Sequence, residues 1–242
     1  MRIERFVPPP LKNPYRRLRS ALKNMEFGHR NADIFDEIYR RRCWGGQAAD
    51  GELYSGPGTY DPSVAQYVDF VLGFIEQREI STIVEIGCGD FAIGRRYAGK
   101  VDHYLGIDVS SLVVENNSRH FASETVTFIQ GDAGELDVAP ADLCIIRQVL
   151  QHLDNASIAR ILRKCSAHRY LLVTEHLPGD EHLVAPNLDK RAGPDTRLVF
   201  GSGVYVECPP FNLSGQTVLS LPVEVLQAHP GETLRTTLIV NS

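Results

Sequence analysis

From residue 61 onward the apolar positions change period several times, and each change marks an element. Asp61-Pro62 reads as a helix start, an N-cap followed by a proline whose fixed φ suits the first turn. Val64, Tyr67, Val68, Val71, Leu72 and Ile75 then recur at helical spacing and predict one buried stripe on a helix ending near Arg78. Beyond Ile80, short β-branched runs alternate with helical stretches. Strands are predicted at 82–86, 104–109, 125–130, within 141–149, and at 170–174. Asp154 or Asn155 caps a helix whose Ile158, Ile161, Leu162 and Cys165 share a face. Such alternation predicts parallel strands joined by helical crossovers on both faces of one sheet.

Both ends of the chain depart from this pattern. Two β-rich runs, 217–226 and 234–240, flank the turn residues His229-Pro230-Gly231-Glu232 and read as a hairpin. An antiparallel strand at one side of an otherwise parallel sheet is the expected result. At the other end, Val7-Pro8-Pro9-Pro10 is extended because proline restricts itself and its predecessor. A basic helical stretch and the run Ile34-Phe35-Asp36-Glu37-Ile38-Tyr39 follow, then the glycine-rich Gly45-Gly46 and Ser55-Gly56-Pro57-Gly58. Residues 1–50 are thus expected to form a helical appendage, and 51–242 a single α/β domain.

Composition narrows the classes. With 242 residues, 43% hydrophobic and 23% charged, the chain is long enough for one sizeable core and short for two. It has no apolar run near the roughly 20 residues of a membrane span, and Met1 to Pro10 lacks the apolar core of a secretory signal, so a cytoplasmic protein is expected. The five cysteines are widely spaced without a Cys-x-x-Cys pair, which points to free thiols and to neither a zinc site nor a disulfide framework. Residues 1–43 hold eleven basic and five acidic residues, although the whole chain carries −5. A basic arm on an acidic body either docks on its own domain or makes peripheral contact with phosphate or an anionic membrane surface. No nucleic-acid partner is expected, and oligomeric state is not legible.

The chemistry concentrates at strand ends. Val84-Glu85-Ile86-Gly87-Cys88-Gly89-Asp90 closes the first strand and is expected to open into a helix, with Gly87 and Gly89 letting a ligand lie against main-chain N–H groups. Gly87, Gly89 and Ala92 also fit the dinucleotide fingerprint, and Asp108, 21 residues beyond Gly87, stands where an acid binds ribose in either class. An adenosine-type ligand follows, and a nicotinamide-dependent oxidoreductase stays open. Three features separate the two. Glu85 can face a methionine amino group but would repel a pyrophosphate. Asp132, after Gly131, can accept an adenine amino group. The terminal hairpin suits a seven-stranded sheet.

On these residues the chain, from about residue 61 to 242, resembles the class I S-adenosylmethionine-dependent methyltransferases. Glu85-x-Gly87-x-Gly89 looks like the first motif, with Phe91 at its third glycine. Asp108 matches the ribose-binding acid, Asp132-Ala133 the adenine-contacting pair, and Ala141 through Leu153 the fourth-strand motif. The resemblance implies a seven-stranded, mostly parallel Rossmann-like sheet and S-adenosyl-L-methionine as cofactor. Its cofactor contacts would be Glu85, Gly87, Cys88, Gly89, Asp108, Val109, Asp132, Ala133, Arg147 and Gln148. Trp44, Ser55-Gly56-Pro57-Gly58-Thr59, Cys88-Gly89-Asp90-Phe91, Arg147 to Leu153 and Pro210-Phe211 resemble a mostly uncharacterised bacterial subgroup, some of whose members resemble enzymes acting on sugars or cell-surface glycans. The implied reaction moves a methyl group to an oxygen or nitrogen of a small molecule or glycan. A non-catalytic module on the same fold is the further alternative.

His152 is the candidate catalytic base, because it follows the fourth strand and histidine titrates near neutrality. Gln148 stands where related chains carry an acid. Glu175, His176 and His182 are read as solvated loop residues and not as a metal site; no metal is expected. Arg197, near Asp189 and Asp195, is either a substrate clamp or a loop salt bridge. Tyr54-Ser55-Gly56 suits a mobile lid, and Trp44 and Tyr60 are lid aromatics or packing residues.

Overall fold

The computed structural model describes residues 30–45, 53–223 and 229–241. Eleven elements follow one another: α1 (Asn31–Arg40), α2 (Ser63–Gln77), β1 (Thr82–Ile86), β2 (His103–Asp108), α3 (Ser111–Phe121), β3 (Val126–Gln130), β4 (Leu143–Arg147), α4 (Asn155–Cys165), β5 (Tyr170–Leu177), β6 (Gly215–Pro222) and β7 (Thr233–Val240). The seven strands form one sheet in the order β3-β2-β1-β4-β5-β7-β6. β1 to β5 run parallel, whereas β7 is antiparallel to both β5 and β6. The expected antiparallel strand is therefore present, but it is inserted one place in from the edge, and β6 forms the edge itself.

Strand alternation sorts the core into two layers. Leu143 and Ile145 face the layer built on α2 through Val64, Tyr67, Val68 and Val71. Cys144 and Ile146 face the opposite layer, with Ile158, Ile161 and Leu162 of α4. The buried stripe predicted for 64–75 is the face α2 presents to the sheet. Asp61 secures the start of that helix by accepting both the backbone N–H (2.9 Å) and the hydroxyl (2.6 Å) of Ser63. Asp154 caps α4 by accepting the N–H of Ser157 at 2.8 Å.

Two expectations change. First, no α-helix follows β1. The segment after Gly89 carries only 3₁₀ turns, Gly94–Arg96 and Ala98–Lys100. Gly87, Gly89 and Phe91 all take positive φ (69°, 54° and 61°), which the helical ladder does not tolerate. Phe91 thus keeps the left-handed backbone of the glycine it replaces, held by packing between Tyr104, Phe121 and Phe128. Second, α1, inside the expected appendage, sinks Ile34, Phe35 and Ile38 into the α4-side layer and is part of the common core. Val7 to Pro10 and the basic stretch before residue 30 lie outside the described residues.

Candidate active site

The carboxyl ends of β1 and β4 lie side by side, and β1 is also paired with β2, so the strand order reverses here. In open α/β sheets this switch point is where ligands bind. A cavity of about 130 Å³ opens at it. All eleven residues singled out from the sequence line it: Glu85, Gly87, Cys88 and Gly89 from the first turn, Asp108 and Val109 from the end of β2, Asp132 and Ala133 after β3, and Arg147, Gln148 and His152 after β4.

At Gly87 and Gly89 the first turn leaves no room for a side chain. A Cβ on Gly87 would lie 2.3 Å from Val149 Cγ2, and one on Gly89 2.5 Å from Ser55 Oγ. Ser55 closes over the turn: its N–H donates to Asp90 Oδ2 at 2.9 Å, and the Asp90 N–H donates to Ser55 Oγ at 2.6 Å. Tyr39 Oη sits 3.0 Å from the same Ser55 hydroxyl. The lid residues expected at 54–56 thus dock on the glycine turn, whereas Tyr54 and Tyr60 stack on each other with rings 5.4 Å apart.

Glu85 and Arg147 form a charged pair of positions on one sheet face. Glu85 is in register with Ile145, and Arg147, two residues further along β4, projects to the same side. Tyr97 and Tyr104 both donate to Glu85 Oε2, at 2.8 and 2.5 Å. Burial nevertheless pushes the Glu85 carboxyl up to about 7. Arg147 stacks over Tyr67, 5.2 Å from the ring centre, and donates to the Gly58 carbonyl at 3.0 Å. Its Nε is buried with no hydrogen-bond partner.

Further along the cleft the acids are already engaged. Asp108 accepts N–H groups from Ser110 (2.9 Å) and Gly89 (3.1 Å), and burial raises its pKa to about 6. Asp132 accepts the Gly134 N–H on Oδ1 and the Asn31 amide on Oδ2, both at 2.9 Å. Gln148, at the end of β4, takes a left-handed φ of 55° and presses its amide against Gly58. Glu175 underpins this corner. It accepts the N–H groups of Val149, Leu150 and Gln151 at 3.2, 2.9 and 3.1 Å, and burial lifts it to about 7.

His152 lies under Trp44 with ring centres 5.2 Å apart. Burial, followed by the nearby Lys190 ammonium, drives its pKa down to about 3. Such an imidazole is neutral at physiological pH but a weak proton acceptor, which limits the base role expected of it. Lys190 itself is lowered to about 7 by burial and donates to the His152 carbonyl at 3.1 Å.

The remaining candidates fall elsewhere. Glu175 and His176 are buried at the end of β5, not solvated, and His176 faces Glu232 at 3.1 Å. His182 stacks with His229 at 4.5 Å. Among the described residues no three metal-ligating side chains come together. Arg197 is fully buried and donates to the carbonyls of Leu188 (2.5 Å) and Leu153 (2.6 Å), so it is neither a substrate clamp nor a surface salt bridge. Among the described residues no helix is long and apolar enough to cross a membrane. The sequence reading missed Asn31, Phe35, Tyr39, Thr59 and Asp90 as cleft residues. The first three recur every fourth residue, a spacing that was legible, but Phe35 lay in a run read as part of an appendage.

A seven-stranded sheet of this order, with its cleft at the β1–β4 switch point, defines the fold of the class I methyltransferases. Residues 83–169 match the model of a methyltransferase domain. No curated relative matches the chain. Solved structures share the fold. The N-methyltransferase NodS from Bradyrhizobium japonicum, in complex with S-adenosyl-L-homocysteine, has a TM-score of 0.57 at 15% identity, covering 86% of this chain and 99% of its own. Magnesium protoporphyrin IX methyltransferase from Synechocystis PCC 6803 with bound SAM has 0.52 at 16%, covering 89% and 99%. A putative O-methyltransferase from Nostoc punctiforme has 0.56 at 14%, covering 99% and 72%. Residues 83–169 therefore carry a methyltransferase-domain match, and the fold as a whole is shared with solved methyltransferases.

Proposed function

We propose that the cleft binds S-adenosyl-L-methionine and that the protein moves its methyl group to an oxygen or nitrogen of a small acceptor, a sugar or glycan among the candidates. One observation carries this reading: Glu85 and Arg147 present opposite charges on the same sheet face at one end of the cleft. That pair complements an amino-acid end, with ammonium toward Glu85 and carboxylate toward the unpartnered Nε edge of Arg147. Asp108 then accepts from the ribose hydroxyls, and the Asp132–Ala133 corner receives the adenine. The cofactor supplies an electrophilic methyl group on a sulfonium.

The protein's contribution is to hold the two reactants in line and exclude water, which Ser55, Tyr39 and Trp44 do from above. Neutral His152 acts as an orienting hydrogen-bond acceptor on the acceptor side and not as a full proton carrier. A dinucleotide is a poorer fit, because its pyrophosphate needs a helix N-terminus after the glycine turn, and none follows β1.

The test is calorimetric titration of Glu85→Gln and Arg147→Met with S-adenosylhomocysteine and with 5′-methylthioadenosine, which lacks the amino-acid end. The reading predicts that both substitutions weaken the first ligand at least tenfold and leave the second within about twofold. Equal losses for both ligands contradict it.

A further inference from the structure

Asn31, Phe35 and Tyr39 of α1 all line the cleft, and their spacing of four stacks them along one helical face. Tyr39 reaches the glycine-turn end through Ser55, and Asn31 reaches the opposite end through Asp132. α1 therefore runs lengthwise over the site. The contact at its first residue has a definite polarity. An ionised carboxylate only accepts, so the amide group of Asn31 that faces Asp132 Oδ2 at 2.9 Å is the NH₂, and the carbonyl Oδ1 is left as an acceptor. Asp132 is held in turn, because its other oxygen takes the Gly134 N–H at 2.9 Å.

Resting on the cofactor reading above, we infer that Asn31 is the residue that reads the nucleobase, its Oδ1 accepting the exocyclic amino group of adenine. Asp132 is then a positioning residue that acts through the Asn31 amide. A direct bond from Asp132 to the adenine would have to share an oxygen that already accepts from Asn31 or Gly134. The same geometry selects against a 6-oxopurine, whose carbonyl would meet Oδ1 acceptor to acceptor, with neither side able to donate. An N-terminal residue, outside the methyltransferase-domain match at 83–169, thereby sets base specificity.

The test uses the full chain and titrates S-adenosylhomocysteine and its 6-oxopurine counterpart, S-inosylhomocysteine, onto wild type, Asn31→Ala and Asn31→Ser. Wild type should prefer the adenine form by about tenfold or more. Both variants should lose at least about fivefold of that preference, mainly by weakening the adenine form. The ratio is internal to each variant, so a general loss of stability does not mimic the effect. Asp132→Asn should reduce the ratio less than Asn31→Ala, because the Asn31 carbonyl survives it. An unchanged ratio in both Asn31 variants overturns the inference while leaving the cofactor reading intact. A wild type that binds neither ligand overturns both.

Discussion

Ser55 and Asp90 hold each other by two reciprocal hydrogen bonds, backbone N–H to carboxylate in one direction and backbone N–H to hydroxyl in the other. This latch fastens the loop at 53–60 onto the glycine turn that floors the cleft. Ser55→Ala removes the hydroxyl that serves both Asp90 and Tyr39. At about 1 kcal/mol for a net hydrogen bond, affinity for S-adenosylhomocysteine should fall about fivefold, with faster dissociation in stopped flow. An unchanged dissociation rate would mean that the latch does not retain the ligand.

Gly87 leaves no space for a methyl group: its Cβ would fall 2.3 Å from Val149 Cγ2, at a φ of 69° that side chains avoid. Gly87→Ala should abolish detectable ligand binding and lower stability by about 1–3 kcal/mol in urea. Binding within twofold of wild type refutes the close approach.

The raised carboxyls make ligand affinity depend on pH. Glu85, held at about 7 by burial, must be ionised to face an ammonium, so affinity falls as pH drops through that value. From pH 8 to pH 6, S-adenosylhomocysteine should weaken about tenfold through this group alone. Adenosine, which meets Asp108 at about 6 but does not reach Glu85, should weaken about twofold. Parallel pH profiles for the two ligands contradict the assigned role of Glu85.

His152 gives a prediction of the same sign, for stability and not for affinity. Its folded pKa is depressed to about 3, so the unfolded chain binds the proton first. Its contribution is complete above the unfolded value of about 6.5 and is lost as pH falls toward 3. The imidazole resonances in a nuclear magnetic resonance titration should stay flat from pH 8 to pH 5. A midpoint near 6.5 would show an accessible imidazole, restoring it as a general base.

Glu175 was read from the sequence as a solvated loop residue, and its actual place shows where such reading stops. A period-two apolar run ends visibly at Thr174, but β5 continues to Leu177 because β7 pairs along its whole length, a partner over 50 residues away. That pairing buries Glu175 beneath the turn after β4, where three N–H groups converge on it. Glu175→Gln, turning an amide NH₂ toward one of those donors, should cost about 1–3 kcal/mol at pH 8 by urea unfolding. A cost under about 0.5 kcal/mol would mean the turn holds itself.

The strand cores at 82–86, 126–130 and 143–147 were legible because each is a local run of apolar residues, and Glu85, Asp108 and Asp132 were legible because they sit at fixed offsets from those runs. The missing helix after β1 was not, because Phe91 takes a glycine's backbone angle for reasons that lie in Tyr104, Phe121 and Phe128. Nor was the place of α1. Its amphipathic face was visible, but what it covers is decided by contacts with Asp132 and Ser110, 101 and 74 residues away.

The most direct measurement is equilibrium titration of the wild-type chain with S-adenosylhomocysteine and, separately, with reduced nicotinamide adenine dinucleotide. A cleft charged by Glu85 and Arg147 predicts one-to-one binding of the first, at a dissociation constant on the order of micromolar, and no saturable binding of the second. Saturation by the dinucleotide, or silence with both on folded protein, contradicts it.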